Sequence, residues 1–199
     1  MSKLFVDEIV HQSSQGSGTI TLGASGETIA LASGASVTGN GLVGITEADQ
    51  WSLTADTNNG VSNDITTNWE QPDYANWSKI GTGLTVSSGI FSFPQTGIYY
   101  IIGTFNVVAN SGDAAAGVEV RTTTDNFTNG VLAAQCYAGN RDSGGNAFGA
   151  STFNFIFDVE DITTHKIKFA TASFTSGTYI YGSTTVRRSG FTVIRLGDT

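Results

Sequence analysis

The chain has 199 residues, enough for one ordinary domain with an appendage but not for two full domains. Charged residues make up 13% of it and hydrophobic residues 39%, a balance that argues against disorder, which needs high charge and little to bury. The net charge of −8, with nine Lys and Arg, argues against nucleic acid or an anionic membrane as the main partner.

The first twelve residues, MSKLFVDEIVHQ, are predicted to form an attachment segment. Acidic residues stand where a signal peptide would have its apolar stretch, so we expect no secretion signal. No apolar run in the chain approaches the roughly 20 residues needed to cross a bilayer, so we expect no membrane insertion. The side chains predicted to contact the attachment partner are Leu4, Phe5, Val6 and Ile9.

Residues 13–46 form a Gly/Ser/Thr-rich stretch with a degenerate repeat. It has one charged residue, Glu27, no aromatic residue, and 19 Gly, Ser or Thr among 34 residues. TITL at 19–22 and TIAL at 28–31 alternate with the period of a half-buried strand, and SVT at 36–38 is a weaker copy. The alternation predicts a short β-repeat shaft. A flexible linker is the alternative, although a pure linker has no reason to place aliphatic side chains two residues apart.

A ribbon this thin is marginal in water, because one chain offers too few aliphatic side chains for a core. Three chains wound about a common axis would turn these side chains inward and leave Thr and Ser outside. The shaft therefore predicts a trimer. Its predicted core consists of Ile20, Leu22, Ile29, Leu31 and Val37.

Aromatic residues mark a head at residues 47–199, since only Phe5 of the 21 precedes Trp51. The head is rich in Phe, Tyr, Ile, Val and Thr, is punctuated by Gly and Asn, and has no sustained 3.6-residue apolar period. About ten short strands with turns between them predict an all-β sandwich, a ten-stranded jelly roll. The predicted strands are Trp51–Ala55, Asp64–Glu70, Leu84–Val86, Ile90–Phe93, Gly97–Val108, Gly117–Thr123, Gly130–Tyr137, Ala147–Val159, Lys166–Phe174, Thr178–Tyr181 and Gly190–Leu196.

Residues that could support catalysis are few. His11 and His165 lie in no nucleophile motif, and no G-x-S-x-G, H-E-x-x-H or P-loop spacing occurs. Cys136 lies in a predicted strand and is expected to be a small buried side chain. The acidic turn at 158–161 has no carboxylate partner across a groove, which disfavours glycan hydrolysis. We predict no enzyme, no catalytic residue and no cofactor.

Two loops contain the oxygen donors that Ca²⁺ prefers, at residues 56–59 and 125–126. The chain has no EF-hand and no glycine–aspartate repeat. We therefore predict no metal site.

Loops held on a rigid sandwich are where binding usually resides. If the strands alternate in direction and both ends of the head lie at its base, three loops meet at the far tip: Ala109–Ala116, Gly139–Asn146 and Thr175–Ser189. Three copies of such a tip would multiply weak contacts by avidity, although a merely soluble tip is the alternative. The predicted receptor contacts are Asp113, Asn140, Arg141, Asp142, Asn146, Tyr179, Tyr181, Arg187 and Arg188.

Two motifs in the head are FSFPQTGIYY at 91–100 and SGFTVIRL at 189–196. They resemble the F-x-x-P-x-x-G-x-Y strand and the final S-G-F-x-x-x-x-L strand of the complement globular-head/tumour-necrosis-factor-like (TNF-like) jelly roll. The resemblance covers about residues 47–197. It implies a homotrimer with aromatic side chains along the three-fold axis and both ends of the head at its base. Tyr99, Tyr100, Phe155 and Phe191 fall on strands that could supply either this axis or the monomer core.

The opening KLFVDEI at 3–9, followed by the T-x-T-L-G pattern at 19–23, is similar to fibre-like proteins of marine bacteriophages. This resemblance implies a virion structural protein, made in the host cytoplasm, that presents its head for host-surface attachment. The expected partners are two further copies of the chain, another virion protein bound through the N-terminus, and a host-surface glycan or protein. A trimeric capsid or tail decoration protein without receptor binding is the alternative, and a glycan-degrading enzyme is a third class.

Overall fold

Every regular element of the described chain is a β-strand. The computed structural model describes residues 44–74, 76–110, 113–139, 145 and 147–199. Within these residues no helix is long and apolar enough to cross a membrane. The side chains predicted for the attachment contact and for the shaft core lie outside the described residues: Leu4, Phe5, Val6, Ile9, Ile20, Leu22, Ile29, Leu31 and Val37.

Eleven strands build the described head, and the predicted all-β class is confirmed. Their positions follow the alternating apolar segments of the sequence closely. The strands are β1 (Ala48–Leu53), β2 (Trp69–Glu70), β3 (Thr85–Ser87), β4 (Ile90–Ser92), β5 (Gly97–Ala109), β6 (Ala115–Thr123), β7 (Val131–Gly139), β8 (Ala147–Val159), β9 (Lys166–Ala172), β10 (Tyr179–Ile180) and β11 (Gly190–Gly197).

One predicted strand is much shorter than expected. Of the predicted Asp64–Glu70, only the two residues of β2 belong to a strand, and Asp64 makes a single bridge to β9. Asn68 has a φ of 65°, a left-handed conformation that interrupts an extended strand. Asn tolerates this conformation better than most residues. The interruption of the strand therefore depends on the backbone conformation of one residue, which the alternation of apolar and polar residues does not predict.

The strands form two antiparallel sheets. Sheet A has the order β8, β5, β11, β1, β2. The short strand β10 pairs with the C-terminal end of β5, on the same edge of β5 that β11 pairs with further along. Sheet B has the order β3, β4, β9, β6, β7. The edge strands β7 and β8 lie against each other on one side of the sandwich. Gly149 allows their close approach, because a Cβ at this position would lie 2.6 Å from the Cβ of Ala138.

The space between the sheets is filled mainly by aromatic rings. The ring centroid of Phe191 lies 4.6 Å from that of Phe169 and 4.8 Å from that of Phe91, and all three residues are fully buried. Trp69 meets Phe91 edge-on at 5.2 Å, a geometry that aromatic pairs prefer. Since the chain has a single cysteine, this packing takes the place of disulfide bonds in stabilising the monomer.

The two faces of sheet A separate the rings whose position the sequence left open. Tyr99 and Phe191 are fully buried in the core, and Phe155 packs against the core from its edge. Tyr100 lies on the outer face of sheet A and is half-buried. Successive residues of a strand point to opposite faces, so Tyr99 and Tyr100 divide between the two.

Both ends of the described head lie at the same end of the sandwich, here called the base, as the resemblance implied. Arg195 connects them. Its backbone N–H donates to the carbonyl of Glu47 at 2.9 Å, and its guanidinium donates to the hydroxyl of Thr46 at 3.3 Å and to the carbonyl of Thr96 at 2.8 Å. The guanidinium also pairs with Asp198. The opposite end, where β5 ends and β8 and β11 begin, is here called the tip.

Candidate functional site

The outer face of sheet A carries an apolar surface near the base. Cross-strand registers place Ile194, Tyr100 and Ile156 side by side. Ile102 lies two residues further along β5, on the same face and toward the tip. Ile156 is 64% exposed. Exposed apolar side chains grouped in this way are typical of interaction sites. We call this set the apolar face: Ile98, Tyr100, Ile102, Ile156, Ile194 and Leu196.

Apolar side chains are also exposed on the edge strands β7 and β8. Phe155 and Phe157 of β8 pack against the core, with ring centroids 6.4 Å apart, yet remain partly exposed. Val131 and Leu132, the first residues of β7, are exposed. We call these four residues the open edge. Because Ile156 points to the outer face of β8 and its two Phe neighbours point to the inner face, the open edge and the apolar face adjoin along this strand.

The described ends of the loops predicted to form the tip lie at one end of the sandwich. The register pairs Ala109 with Ala147 and Val108 with Tyr179, so β5 ends where β8 begins and where β10 lies. The residues that follow β5 and β9 also lie there. The receptor role of these loops remains a prediction. Four of the predicted contacts lie outside the described residues: Asn140, Arg141, Asp142 and Asn146.

Asp113 holds two of the tip loops together. Its carboxylate accepts hydrogen bonds from the backbone N–H of Thr175 at 3.0 Å, from the hydroxyl of Thr175 at 2.6 Å, and from the hydroxyl of Thr178. Burial would raise the pKa of this carboxyl, but the hydrogen bonds outweigh burial and the pKa lies below its ordinary value. The residue is buried, so its carboxylate shapes the tip and is not offered to a partner.

Tyr181 and Arg188 form a cation–aromatic pair at the tip. The guanidinium carbon of Arg188 lies 4.1 Å from the centre of the Tyr181 ring. The ring centroid of Phe148, in β8, lies 5.8 Å from that of Tyr181. Asn106 fixes this arrangement by donating its side-chain N–H to the backbone carbonyl of Arg188. Sequence alone placed Tyr181 and Arg188 in one loop, whereas the structure brings them into direct contact.

Tyr179 and Arg187, the other two predicted tip residues within the described chain, are half-buried. Burial raises the pKa of Tyr179, and the electrostatic interaction with Asp56 raises it further. Burial lowers the pKa of Arg187, a shift that proximity to Tyr74 only partly opposes. Arg187 is therefore a poorly hydrated cation at the surface of the tip.

Sequence reasoning missed one segment of the tip, residues 54–64. Thr57 forms a bridge to Ile180 of β10, and Asp56 accepts the backbone N–H of Gly182 at 3.0 Å. The run DTNNG at 56–60 is a turn signal that could have identified this segment.

Sequence reasoning also missed Phe148, which is 70% exposed. The residue belongs to β8 and is in phase with the outward-facing Asn154, not with the buried Phe153. The alternation along β8 therefore contains the signal that places this ring outside.

Among the described residues, neither His165 nor Cys136 is part of a catalytic pair. His165 is buried, with its ring 5.9 Å from that of Phe157 and its Nδ1 3.1 Å from the hydroxyl of Thr164. Burial raises the pKa of the Cys136 thiol, whose Sγ lies 3.8 Å from the carbonyl oxygen of Val118. A thiol with a raised pKa is a poor nucleophile.

Two loop carboxylates, those of Asp125 and Asp161, accept hydrogen bonds from their own loops. Asp125 accepts hydrogen bonds from the backbone and side chain of Asn129 and from the hydroxyl of Thr123. Asp161 accepts the backbone N–H and the hydroxyl of Thr163, both at 2.7 Å. Among the described residues, no group of three or more His, Cys, Asp or Glu is placed to hold a metal ion.

Solved structures with a similar fold include TNF-family proteins. Eiger TNF from S. frugiperda superposes with a TM-score of 0.60 at 11% identity, over 76% of this chain and 93% of that one. Murine APRIL, solved at pH 5.0 and at pH 8.5, gives TM-scores of 0.55 and 0.54 at 13% identity; each covers 75% of this chain, against 99% and 98% of APRIL. No protein-family model and no curated protein matches the sequence. At such identities the likeness shows the fold alone, and it confirms the predicted TNF-like jelly roll.

Proposed function

We propose that this chain is the subunit of a trimeric bacteriophage virion fibre or spike, whose jelly-roll head is presented for host-surface attachment. The observation that carries this proposal is the pair of uncovered apolar surfaces, the apolar face and the open edge. Two different surfaces on one chain suit a closed ring of copies, in which the open edge of one copy packs against the apolar face of the next.

A ring of three is supported by two considerations. The head resembles TNF-like jelly rolls, a resemblance that implies a homotrimer, and its fold is similar to that of Eiger and APRIL. The predicted shaft needs three chains to form a core. Both regions thus favour the same symmetry.

Presentation of the tip is supported by the positions of the two ends of the head. Arg195 ties Thr46 and Glu47 to the last strand at the base, so the chain enters the head there, opposite the tip loops. In the proposed subunit, residues 1–12 attach to another virion protein and the tip faces the host. Its location is the virion after assembly in the host cytoplasm.

The oligomeric state tests the first part of the proposal. The full chain should elute in light-scattering chromatography at about 62 kDa, three times the 20.8 kDa of one chain. Tyr100→Asp and Ile156→Asp should each shift the mass toward the monomer, because an unpaired carboxylate would be buried between copies. Thr85→Asp, on an exposed position of β3, is the control and should leave the trimer intact. A wild-type monomer at micromolar concentration would contradict the proposal.

Adsorption tests the second part. Changing Arg141, Asp142 and Arg187 together to Ala should reduce phage adsorption while the trimer persists, and unchanged adsorption would count against the tip assignment. Imaging of virions separates the alternative: a head free in solution supports a fibre, whereas a head packed against the shell would identify a decoration protein. No enzymatic role is proposed, and release of reducing sugar from host polysaccharide by the purified chain would contradict this.

A further inference from the structure

Phe148, Tyr181 and Arg188 form a compact group on the outer surface of sheet A at the tip, here called the tip cluster. The Tyr181 ring is in contact with both the cation of Arg188 and the ring of Phe148. Phe148, at 70% exposure, is the most exposed large apolar side chain of the described head. An aromatic platform and a positioned cation therefore lie side by side at the end of the molecule that faces away from the base.

Within the described residues, Arg187 and Arg188 have no carboxylate partner, unlike Arg121, Lys168 and Arg195. The Nε atoms of Arg187 and Arg188 are buried and have no hydrogen-bond partner within the described residues. Burial also lowers the pKa of Arg187, as expected for a guanidinium without a neighbouring carboxylate. In contrast, the described head contains three cation–carboxylate pairs: Arg121 with Glu119, Lys168 with Asp64, and Arg195 with Asp198. In a chain with a net charge of −8, a guanidinium with no carboxylate partner among the described residues is a candidate site for an anion from outside.

The tip cluster is separate from the apolar face, although both lie on the outer surface of sheet A. Two rows of small or polar side chains intervene, Asn106 beside Ala150 and Thr104 beside Thr152. The hydroxyls of Thr104 and Thr152 lie 3.5 Å apart. This polar band interrupts the apolar surface and offers amide and hydroxyl groups next to the cluster, which suits a polar ligand better than a second copy of the chain.

We propose that the tip cluster binds an acidic saccharide. The carboxylate of the sugar would meet the terminal N–H groups of Arg188 edge-on, in the plane of the guanidinium, a geometry in which Arg makes paired hydrogen bonds. The C–H groups of the sugar ring carry small positive charges and would pack on the negative face of Phe148. This inference rests on the proposed function and names the ligand class of its tip.

The test uses the full chain and three defined probes: alginate oligomers, whose units carry carboxylates; dextran oligomers of equal length, which are neutral; and poly-L-glutamate. Calorimetry should show binding of alginate that weakens with added salt, and no binding of dextran. Arg188→Gln should reduce the alginate affinity at least tenfold, and Phe148→Ala by a similar factor. Arg188→Lys keeps the charge but not the planar fork and should lie between. Lys79→Gln, which removes an exposed cation elsewhere, is the matched control.

Other outcomes overturn the inference. Equal binding of dextran would show that charge is not recognised, and equal binding of poly-L-glutamate would identify a site for acidic peptides. Conversion of the trimer to monomer by Arg188→Gln or Phe148→Ala would assign the cluster to the interface between copies. If alginate does not bind while the chain is trimeric and mediates adsorption, this inference fails and the proposed function stands. A wild-type monomer would refute the proposed function instead.

Discussion

Asp49 accepts the indole N–H of Trp51 at 3.0 Å, two residues further along the same strand, β1. The same carboxylate accepts the backbone N–H of Leu84 at 2.8 Å and the side-chain N–H of Gln71 at 2.9 Å. It is 3% exposed. The buried carboxylate of Asp49 thus joins β1 to both ends of the connection 71–84, entirely through hydrogen bonds.

Replacing Asp49 by Asn should lower the free energy of unfolding by about 2–4 kcal/mol. The amide keeps one acceptor oxygen but turns an N–H₂ group toward donors, so at least one buried N–H loses its partner. Urea denaturation of the full chain measures the change. Asp73→Asn, on an exposed position of the same connection, should change stability by less than about 0.5 kcal/mol. Equal effects of the two substitutions would contradict the role of this carboxylate.

Asp113 should make the tip sensitive to acid. The hydrogen bonds from Thr175 and Thr178 keep the pKa of its carboxyl below the ordinary value of 3.8, so the native state releases this proton more readily than the unfolded chain does. The resulting stability is fully present above pH 4 and is lost as the pH falls through the lowered pKa, by the linkage of proton binding to folding. Amide exchange at residues 173–178 should accelerate in that range.

Asp113→Asn removes the titrating group. The variant should exchange faster than wild type at pH 7 and show a weaker dependence on acid below pH 4, with Asp158→Asn, exposed on β8, as the control. An acid response at residues 173–178 that persists unchanged in Asp113→Asn would show that another group is responsible.

Gly103 makes room for an aromatic ring from the neighbouring strand. A Cβ at this position would lie 2.4 Å from Cζ of Phe153 and 2.9 Å from Cε2 of Phe105. Gly103→Ala should therefore destabilise the chain by about 1–3 kcal/mol, the usual cost of overpacking a core. In the Phe153→Leu background the same substitution should cost less, because the smaller side chain leaves space. Gly197→Ala, where nothing lies within 4 Å, is the control in urea denaturation, and equal costs at both glycines would contradict this explanation.

The strands and the core of the head could be predicted because each strand separates a buried face from an exposed one. Phe153 and Phe155 alternate with polar or outward-facing neighbours, and the structure packs both rings against the core. The same rule divides Tyr99 from Tyr100. These assignments need only the local order of residues.

The environment of the tip could not be predicted in the same way. Asp113 looks like an exposed loop carboxylate in the sequence, but its hydrogen-bond donor Thr175 lies 62 residues later, so no local pattern announces its burial. Arg188 is one of two adjacent cations in the sequence, and only the return of β10 alongside β5 brings Tyr181 and Phe148 to it. Contacts set by sheet topology are invisible to a reading of short segments.

Tyr99 should make the head sensitive to alkali. Its hydroxyl donates to the carbonyl of Gln95 at 2.8 Å. Burial raises its pKa to about 12; the nearby charge of Arg195 opposes this rise and that of Glu47 adds to it. In the unfolded chain the pKa of this hydroxyl lies near the ordinary value of 10.0 for tyrosine. Because the folded-state pKa is the higher one, the contribution to stability is fully present below pH 10 and is lost as the pH rises through about 12.

Tyr99→Phe removes both the hydrogen bond and the titration. At pH 7 the variant should be less stable than wild type by about 1 kcal/mol, the net value of one buried hydrogen bond. Between pH 10 and 12 wild type should lose stability faster than the variant, so that the two curves of unfolding free energy against pH converge. Tyr137→Phe, on an exposed position of β7, should run parallel to wild type throughout. Curves for wild type and Tyr99→Phe that stay parallel above pH 10 would show that alkaline loss of stability arises elsewhere, since burial of this phenol is the property that couples it to folding.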